Sequence, residues 1–476
     1  MTTRAAALRS AFVASVVLTG SLAHALPVTL KDSNGTKYNV NTQVFPTPPL
    51  TSISNASGAL TNATFIKPIT VTSYYIGFTP WFGFLTTYTV QHEVNVPLTP
   101  AFAGFNALLI TGLNGQKLTV PLAYNPGQIA TEDPNCMANG KPQQLIFAAQ
   151  AFPDQNLSLT RKVFVSQNQE WARWLNIVTN TGPTAVPVAI SLLGRIASGS
   201  DTIVVASSSG DSQVSAQDQW FTTQQSLPAG ITSYEPRLGF VLQGPGATTP
   251  ASNAGISITT TPPGKAAFTY IPTIEPGASA VIMTFVTVQG KNKQSKQTCQ
   301  NLVQTPIPSS AIKCMSEQEL SQIINFAHIT PPMPKKSTVK LNFKKTGQDT
   351  VQWKGKITVA GGISLAGLSV TVDFGGITQA FLLSKGGSAN NGNGNKFNLD
   401  VSLKNGVTKA GTYNVTFNLK GDLQTTLAQY GLTNADASNV PVAIPLTMTA
   451  GPGVYAADQP YTWKATAGKS GTATLS

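Results

Sequence analysis

Scattered carboxylates are among the residues of this sequence that could take part in a chemical reaction. Hydrolysis of a glycosidic bond needs one carboxyl group as an acid and a second as a base or nucleophile. The candidates for such a pair are Glu93, Glu132, Asp133, Asp201, Asp211, Asp218 and Glu235. Asp201 follows Gly-Ser and Asp211 follows Ser-Gly, so capping of turns is an alternative role that aspartate performs well.

Histidines and nucleophile motifs offer little further chemistry. His92 and His328 are the two histidines after residue 25. His92 adjoins Glu93 in a predicted strand, where neighbouring side chains point to opposite faces. The sequence has no G-x-S-x-G, H-E-x-x-H or P-loop pattern. Because metal sites usually need several clustered ligands, we predict no catalytic residues, no metal and no cofactor, with enzymatic activity kept as an alternative.

Aromatic side chains are the other candidates for contact with a ligand. Eight rings lie between Phe65 and Tyr88, and two tryptophans flank a later strand. Aromatic rings stack on sugars, but they also form cores and oligomer interfaces. The candidate ligand-binding residues are Tyr75, Trp81, Trp171, Arg173, Asp201 and Asp211.

The elements that must position these residues are predicted to be strands. The stretch from Leu157 to Asp211 predicts four in succession, LSLTRKVFVS, WARWLNIVTN, AVPVAISLLG and DTIVVASSSGD, separated by turns rich in Asn, Gly and Pro. Ser316 to Ala327 predicts a helix that begins with a Ser316–Glu319 capping box. After it, Thr330 to Lys336 predicts an extended, proline-rich linker.

The composition predicts an all-β fold. Only 11% of the residues are charged, 41% are hydrophobic, and Gly and Pro are frequent. Seven or eight short alternating strands near the C-terminus fit an immunoglobulin-like β-sandwich. The predicted divisions are a signal peptide (1–25), a large β-sandwich domain (26–315), a helix and linker (316–335) and a basic immunoglobulin-like β-sandwich (336–476).

The first 25 residues have the pattern of a secretory signal peptide. Arg4 and Arg9 precede an apolar run, and Ala23-His24-Ala25 is a small-x-small cleavage pattern. The run is too short to span a bilayer, which takes roughly 20 apolar residues. We therefore expect cleavage near Ala25, a secreted (extracellular or periplasmic) location and no membrane span.

Positive charge is concentrated near the C-terminus. Residues 335–476 contain fourteen lysines, no arginine and six aspartates, a net charge of +8 in a chain whose total is +12. Such a domain could meet an anionic glycan or cell-surface polymer. The alternative is that these lysines protect the edges of strands against pairing with other chains. Nothing in the sequence matches a nucleic-acid module.

Three cysteines are available in a compartment that permits disulfides. Cys299 and Cys314 are near each other in sequence, so we prefer them as the bonded pair. Cys136 would then be free or intermolecular, although it could equally pair with one of the others.

Several segments resemble a known family. The segments Arg161–Val165, Arg173–Gly182, Gly199–Thr202 and Ser208–Asp211 are similar to those of galactose mutarotase-like and polysaccharide-processing proteins. This resemblance implies a large β-supersandwich for the first domain, and the second domain resembles accessory domains of exported bacterial proteins. No catalytic residue of that family has a match here, so the resemblance concerns the fold.

Three functions are compatible with these features. The preferred hypothesis is a secreted, non-enzymatic surface or matrix protein that binds glycans or other protein subunits. A carbohydrate-active enzyme or lectin-like module is the second, and clustering of Asp201, Asp211 or Glu235 with exposed rings in one cleft would favour it. A self-assembling structural subunit is the third, and its mark would be a large exposed apolar patch.

Overall fold

The computed structural model describes residues 27–33, 35–42, 56–79, 84–112, 122–123, 130–138, 141–228, 233–258 and 263–476. The predicted signal peptide lies outside these residues, so cleavage near Ala25 stays a prediction. Within the described part of the chain, no helix is long and apolar enough to cross a bilayer.

The first part of the chain is built from strands, as its composition predicts. They are β1 (Val28–Lys31), β2 (Lys37–Val40), β3 (Leu60–Thr79), β4 (Phe84–Leu98), β5 (Phe102–Gly112), β6 (Leu122–Ala123), β7 (Thr131–Glu132), β8 (Met137–Ala138), β9 (Lys141–Pro142), β10 (Gln144–Phe152), β11 (Leu157–Val165), β12 (Ala172–Asn180), β13 (Val186–Ile196), β14 (Thr202–Ser207), β15 (Trp220–Gln225), β16 (Arg237–Val241), β17 (Asn253–Ser257), β18 (Lys265–Tyr270), β19 (Thr273–Ile274) and β20 (Ser279–Gln289).

These strands form two large antiparallel sheets that pack face to face. The first has the order β1-β2-β3-β5-β13-β18-β17, and the second has the order β14-β15-β16-β20-β12-β11-β10-β7. Rings from both sheets meet between them: Phe105 of β5 lies edge-on to Trp174 of β12, with ring centroids 5.9 Å apart. Burial of this apolar surface is the main driving force for the sandwich.

The second sheet is buried on both of its faces. Its central strand β20 is buried almost from end to end, which explains the unbroken apolar run in its sequence. The outer face is covered by α1 (Asn292–Leu302), by the segment 307–329 and by two residues near the C-terminus, Val454 and Ala456.

The rest of the chain adds two short helices and thirteen strands. They are α2 (Glu317–Ser321), β21 (Ile329–Thr330), β22 (Met333–Asn342), β23 (Asp349–Val359), β24 (Ser369–Phe374), β25 (Ile377–Leu382), β26 (Ser388–Asn390), β27 (Lys396–Asp400), β28 (Leu403–Lys404), β29 (Val407–Thr408), β30 (Gly411–Gly421), α3 (Gln424–Ala428), β31 (Ala437–Ala450), β32 (Gly453–Thr466) and β33 (Ser470–Leu475).

Most of these strands belong to one sheet that curls around its own core. Its order is β25-β24-β31-β32-β33-β22-β23-β30-β27-β26, with β21 beside β32. Phe374 of β24 and Phe417 of β30 are six strands apart in this order, yet their ring centroids are 6.4 Å apart. The sheet must therefore fold back on itself, which is how it buries a core while leaving its convex face to solvent. The immunoglobulin-like topology and the domain limits stay predictions.

The hairpin of β3 and β4 extends away from the first sheet. The two strands pair continuously from Phe65–Leu98 to Thr79–Phe84. Only the first residues of β3, from Leu60 to Thr64, also pair with β2 and β5. We call residues 65–79 and 84–98 the ribbon.

The predicted helix from Ser316 to Ala327 is shorter than expected. The Ser316–Glu319 capping box is present, but α2 ends at Ser321. The chain then bonds to β20, because Val281 donates its backbone N–H to Gln322 and accepts one from Ile324. Residues of the predicted linker pair within the last sheet, where Met333 begins β22. The longest helix, α1, was not predicted, because only Leu302 and Cys299 are apolar on its buried side.

The preferred cysteine pair is wrong. Cys136 and Cys314 form the disulfide, with their Cα atoms 5.6 Å apart, while Cys299 is free and buried. Cys299 lies in α1 and faces the sheet at Gly239, where an added Cβ would sit 2.5 Å from its Sγ. Proximity in sequence misled the prediction, because the helix turns Cys299 into the core and away from Cys314.

Candidate functional site

The convex face of the last sheet has a strict alternation of buried and exposed residues. In β23, Val351, Trp353 and Ile357 are buried, whereas Lys354 and Lys356 are exposed. A strand with one solvated face has this period of two. The same alternation continues in β22, β27, β30 and β32, so their lysines share the solvent side of one sheet.

One row of this face crosses five adjacent strands. Lys464, Thr472, Lys340, Thr350 and Lys420 are successive cross-strand partners on β32, β33, β22, β23 and β30. Neighbouring strands lie about 4.8 Å apart, so the three lysines stand about 9.6 Å apart with a threonine between each pair.

A second group of lysines lies two rows further along the strands. Lys336 and Lys354 are direct partners across β22 and β23, and Lys356 follows two residues later on the same side. Lys396 of β27 occupies the intervening row, beside Asn418. The seven residues Lys336, Lys340, Lys354, Lys356, Lys396, Lys420 and Lys464 are all exposed and are called the lysine face.

Amide and hydroxyl side chains occupy the positions between the lysines. The central row contains Thr474, Thr338, Gln352 and Asn418 as successive partners. The exposed carboxylate that the pairing places on the same side is Asp400, which is opposite Asn414 in the last row. Asp458 of β32 is on that side too, but its carboxylate is buried and accepts a hydrogen bond from the backbone N–H of Cys314. Positive charge is therefore nearly uncompensated across a surface rich in hydrogen-bonding groups.

These lysines do not protect strand edges. The edge strands of the sheet are β25 and β26, whereas the lysine face lies on β22, β23, β27, β30 and β32, each of which has a partner on both sides. The edge-guarding alternative is therefore wrong for six of these residues, whereas Lys336 lies before Thr338, where the pairing of β22 with β33 begins.

A shallow depression lies at one end of the lysine face. It has a volume of about 490 Å³ and is lined by Asn390, Lys396, Asn398, Thr416 and Asn418, among others. The depression combines one ammonium group with amide and hydroxyl groups, so it can hold a polar ligand group against the sheet.

Two of the predicted ligand-binding residues belong to the ribbon region. Tyr75 is paired with Tyr88 in the backbone register. Trp81 lies outside the described residues. The pairing of the strands does not bring Tyr75 to the lysine face.

Trp171 and Arg173 are buried. Trp171 is 2% exposed and packs against Phe164 and Phe285. The Arg173 guanidinium donates to the carbonyl oxygens of Ala311 (2.6 Å) and Lys313 (2.9 Å). Burial lowers the pKa of Arg173 to about 9, against the opposing effect of the Glu319 and Asp458 carboxylates. These contacts make Arg173 a structural tie between the second sheet and the segment after α1.

The candidate carboxylates do not meet in one cleft. Asp201 immediately precedes β14, whereas Asp211 lies beyond its other end and accepts a hydrogen bond from Ser207 (3.0 Å). Asp201 does lie near Glu235, because its charge contributes to the raised pKa of Glu235. The described residues contain no cluster of three or more potential metal ligands.

Sequence reasoning missed the lysine face as a set of residues, although part of its signal was visible. Gln352, Lys354 and Lys356 alternate with buried apolar residues, which predicts that they share one side of a strand. The sequence does not say which strands are neighbours, and the face exists only because β22, β23 and β30 are adjacent.

Comparisons with known proteins give resemblances of fold at low similarity. No protein-family model and no curated protein matches the chain. Similar solved structures include a polysaccharide lyase (TM-score 0.29, 10% identity, 89% of this chain and 46% of that one). A galactose mutarotase-like protein from Lactobacillus casei has a TM-score of 0.29 and 10% identity over 55% of this chain and 100% of its own.

A third similar structure is a GH36 α-galactosidase from Geobacillus stearothermophilus, with a TM-score of 0.31 and 11% identity over 57% of this chain and 42% of its own. The chain spans about half the length of the polysaccharide lyase. Galactose mutarotase-like and polysaccharide lyase proteins are thus among the structural neighbours, in line with the resemblance in the sequence. Such low identities and TM-scores transfer neither an activity nor a ligand to this chain.

Proposed function

We propose that this chain is a secreted, non-enzymatic protein that binds an acidic polysaccharide through its lysine face. The observation that carries the proposal is seven exposed lysines on one side of five strands, with one aspartate among them. Clustered charge of one sign attracts and retains a polymer of the opposite sign.

The groups between the lysines favour a carbohydrate over other polyanions. Threonine, asparagine and glutamine can hydrogen-bond the hydroxyls of sugars. The spacing of about 9.6 Å between Lys464, Lys340 and Lys420 suits a polyuronate chain in which every second carboxylate meets a lysine. The face offers neither arginine nor an exposed ring for reading or stacking bases.

The test compares variants of equal charge. Lys336→Gln/Lys354→Gln/Lys356→Gln removes three charges from the lysine face. Lys291→Gln/Lys293→Gln/Lys296→Gln removes three exposed lysines at and before α1, away from the face. Binding of residues 26–476 to polygalacturonate is measured by biolayer interferometry between 20 and 300 mM NaCl, with dextran as the uncharged polymer.

We expect the face variant to lose most of its polygalacturonate affinity and most of its salt dependence, because screening acts on the removed charges. The control variant keeps both. Equal losses in the two variants would mean that total charge matters and the face does not. Tighter binding to duplex DNA or to anionic vesicles than to polygalacturonate would overturn the choice of a polysaccharide.

A second function, self-assembly, is favoured by the ribbon. The ribbon pairs fifteen residues of each strand, a length of about 50 Å, and an isolated two-stranded hairpin is at best marginally stable in water. Ile69 and Val94 are direct partners and are 37% and 38% exposed, and Val90 on the same side is 41% exposed. These three exposed apolar side chains share their side of the ribbon with Lys67 and His92, and a partner would cover them.

The partner that fits is a second copy of the chain. The ribbon contains one lysine and one glutamate, Lys67 and Glu93, so two ribbons meet without repulsion between their net charges. One face of the ribbon covers on the order of 500 Å², which is below the roughly 800 Å² per partner of a standard interface, so we expect a weak dimer.

Sedimentation equilibrium tests self-assembly. We expect a dimer that Ile69→Lys/Val94→Lys converts to a monomer. Thr72 and Gln91 are directly opposed on the other side of the ribbon, so the dimer of Thr72→Lys/Gln91→Lys should be more stable than that of Ile69→Lys/Val94→Lys. A wild-type protein that is monomeric at 100 μM would exclude this second function.

A further inference from the structure

A large cleft lies between the second sheet and the last sheet. Its volume is about 660 Å³, within the range of roughly 300–1,000 Å³ for ligand sites. The turn between β11 and β12 forms one wall, and α1 with the segment after it forms the second. Asp373 and Thr378, on β24 and β25, close the third.

One side of α1 supplies a row of amides to this cleft. Gln294, Gln297 and Asn301 are spaced by three and four residues, so they lie on one face of the helix. The other side of α1 contacts the sheet through the buried residues Ser295, Cys299 and Leu302. Because this side of α1 is packed against the sheet, the amides on the other side are held in position facing the cleft.

The amides are partly aligned by one another. Gln297 donates to Asn301 Oδ1 at 2.9 Å, and Gln304 donates to the same oxygen at 3.4 Å. Across the cleft, Asn168 donates to the carbonyl oxygen of Gln429 at 3.3 Å, which joins the β11–β12 turn to the end of α3. Each such amide retains further donor or acceptor capacity.

The charges of the lining oppose an anionic ligand. Among the described residues that line the cleft there is no lysine or arginine, and the ionisable ones are Glu170 and Asp373. Asp373 is saturated by Ser309 and by the backbone N–H of Gly376, and burial raises its pKa. Glu170 accepts from Gln289 at 2.7 Å. The lining is about equally polar and apolar, and its described residues include no cationic group, so the cleft matches a neutral molecule that carries both hydroxyls and apolar ring faces.

We propose that this cleft binds an uncharged oligosaccharide segment, at a site separate from the lysine face. Amide side chains donate and accept together, so they match the paired hydroxyls of a sugar ring. Trp171 contributes to the floor of the cleft, but at 2% exposure it provides no stacking platform. Affinity therefore comes from hydrogen bonds and is expected to be modest.

The test uses isothermal titration calorimetry of residues 26–476 in 0.5 M NaCl, which screens the lysine face. The probes are maltohexaose, cellohexaose, mannohexaose and galactohexaose. Gln297→Ala/Asn301→Ala removes two cleft amides. Gln300→Ala, exposed on the same helix and outside the cleft lining, is the matched control.

We expect at least one probe to bind, the double variant to weaken it about tenfold or more, and Gln300→Ala to keep it, because each lost hydrogen bond is worth about 0.5–1.5 kcal/mol. The face variant Lys336→Gln/Lys354→Gln/Lys356→Gln is expected to bind the same probe normally, which separates this site from the proposed polysaccharide site. No heat with any probe, or equal binding by the double variant, would overturn the proposal. Circular dichroism melting confirms that the variants are folded.

Discussion

Lys336 and Lys354 are directly opposite each other on the neighbouring strands β22 and β23, and both are exposed. Like charges in this arrangement destabilise a sheet, by about 0.2–1 kcal/mol for a pair. No carboxylate lies next to them in their row, which continues through Thr416 and Asn398. A fold that needed only solubility could avoid this repulsion, so the pair supports a role in binding.

The first prediction follows from that repulsion. Lys354→Gln is expected to raise the free energy of unfolding by about 0.2–1 kcal/mol in urea while weakening polygalacturonate binding. Lys356→Gln is the control, because its cross-strand partner Asn414 is uncharged. It should weaken binding without a gain in stability. A Lys354→Gln protein that is both less stable and equally good at binding would contradict the prediction.

The positions of the strands in the sequence were easier to predict than which strands pair with each other. The four strands predicted between Leu157 and Asp211 are present as β11 to β14. Their succession suggests one sheet, but β13 lies in the first sheet while β11, β12 and β14 lie in the second. Turn residues and periodicity are local signals, whereas the choice of sheet depends on β20, more than a hundred residues after β12 in the chain.

The second prediction concerns the disulfide. The Cys136–Cys314 bond closes a loop with a sequence separation of 178, for which chain entropy predicts a stabilisation of roughly 5 kcal/mol. Cys136→Ser/Cys314→Ser should therefore unfold at a much lower urea concentration than the oxidised wild type.

Cys299 provides the matching chemical test. Its thiol is buried, and burial raises its pKa, so it should resist iodoacetamide in the folded protein and react after unfolding. Rapid labelling of the native protein at Cys299, or peptide mapping that finds a bond to Cys299, would contradict the pairing in the structure.

The third prediction distinguishes a structural Arg173 from a ligand-binding one. Arg173→Met leaves the carbonyl oxygens of Ala311 and Lys313 without their charged donor, so the free energy of unfolding should fall by about 3 kcal/mol. Polygalacturonate affinity at a temperature where the variant is folded should not change. Unchanged stability together with lost polygalacturonate binding would show that Arg173 is a ligand-binding residue.

The candidate site was only partly accessible to sequence reasoning. The excess of lysine after residue 335 was visible, but its meaning depended on whether the lysines lie at edges or on a face. That distinction rests on the position of β26 and β25 at the ends of the sheet, which pairs residues as distant as Thr338 and Thr474 within one layer. Trp171 was predicted to bind a ligand but is buried. The sequence does not distinguish these two roles, because the large ring of tryptophan also fills cores.

The last prediction uses Glu235. Burial raises the pKa of Glu235 to about 7, the Ser198 hydroxyl opposes this shift, and the charge of Asp201 adds to it. Because the pKa in the folded state exceeds the ordinary value of 4.5, the folded state favours the protonated acid. The associated stability is complete below about pH 4.5 and is lost as the pH rises through about 7.

Glu235→Gln should therefore gain stability relative to the wild type as the pH rises from 4.5 to 8, since the amide stays neutral throughout that interval. The measurement is the difference in free energy of unfolding between the two proteins at several pH values, in which all other titrating groups cancel. Asp211→Asn, at an exposed turn beyond the far end of β14, is the control. A difference that is constant with pH would show that the Glu235 carboxyl titrates alike in the folded and unfolded chains.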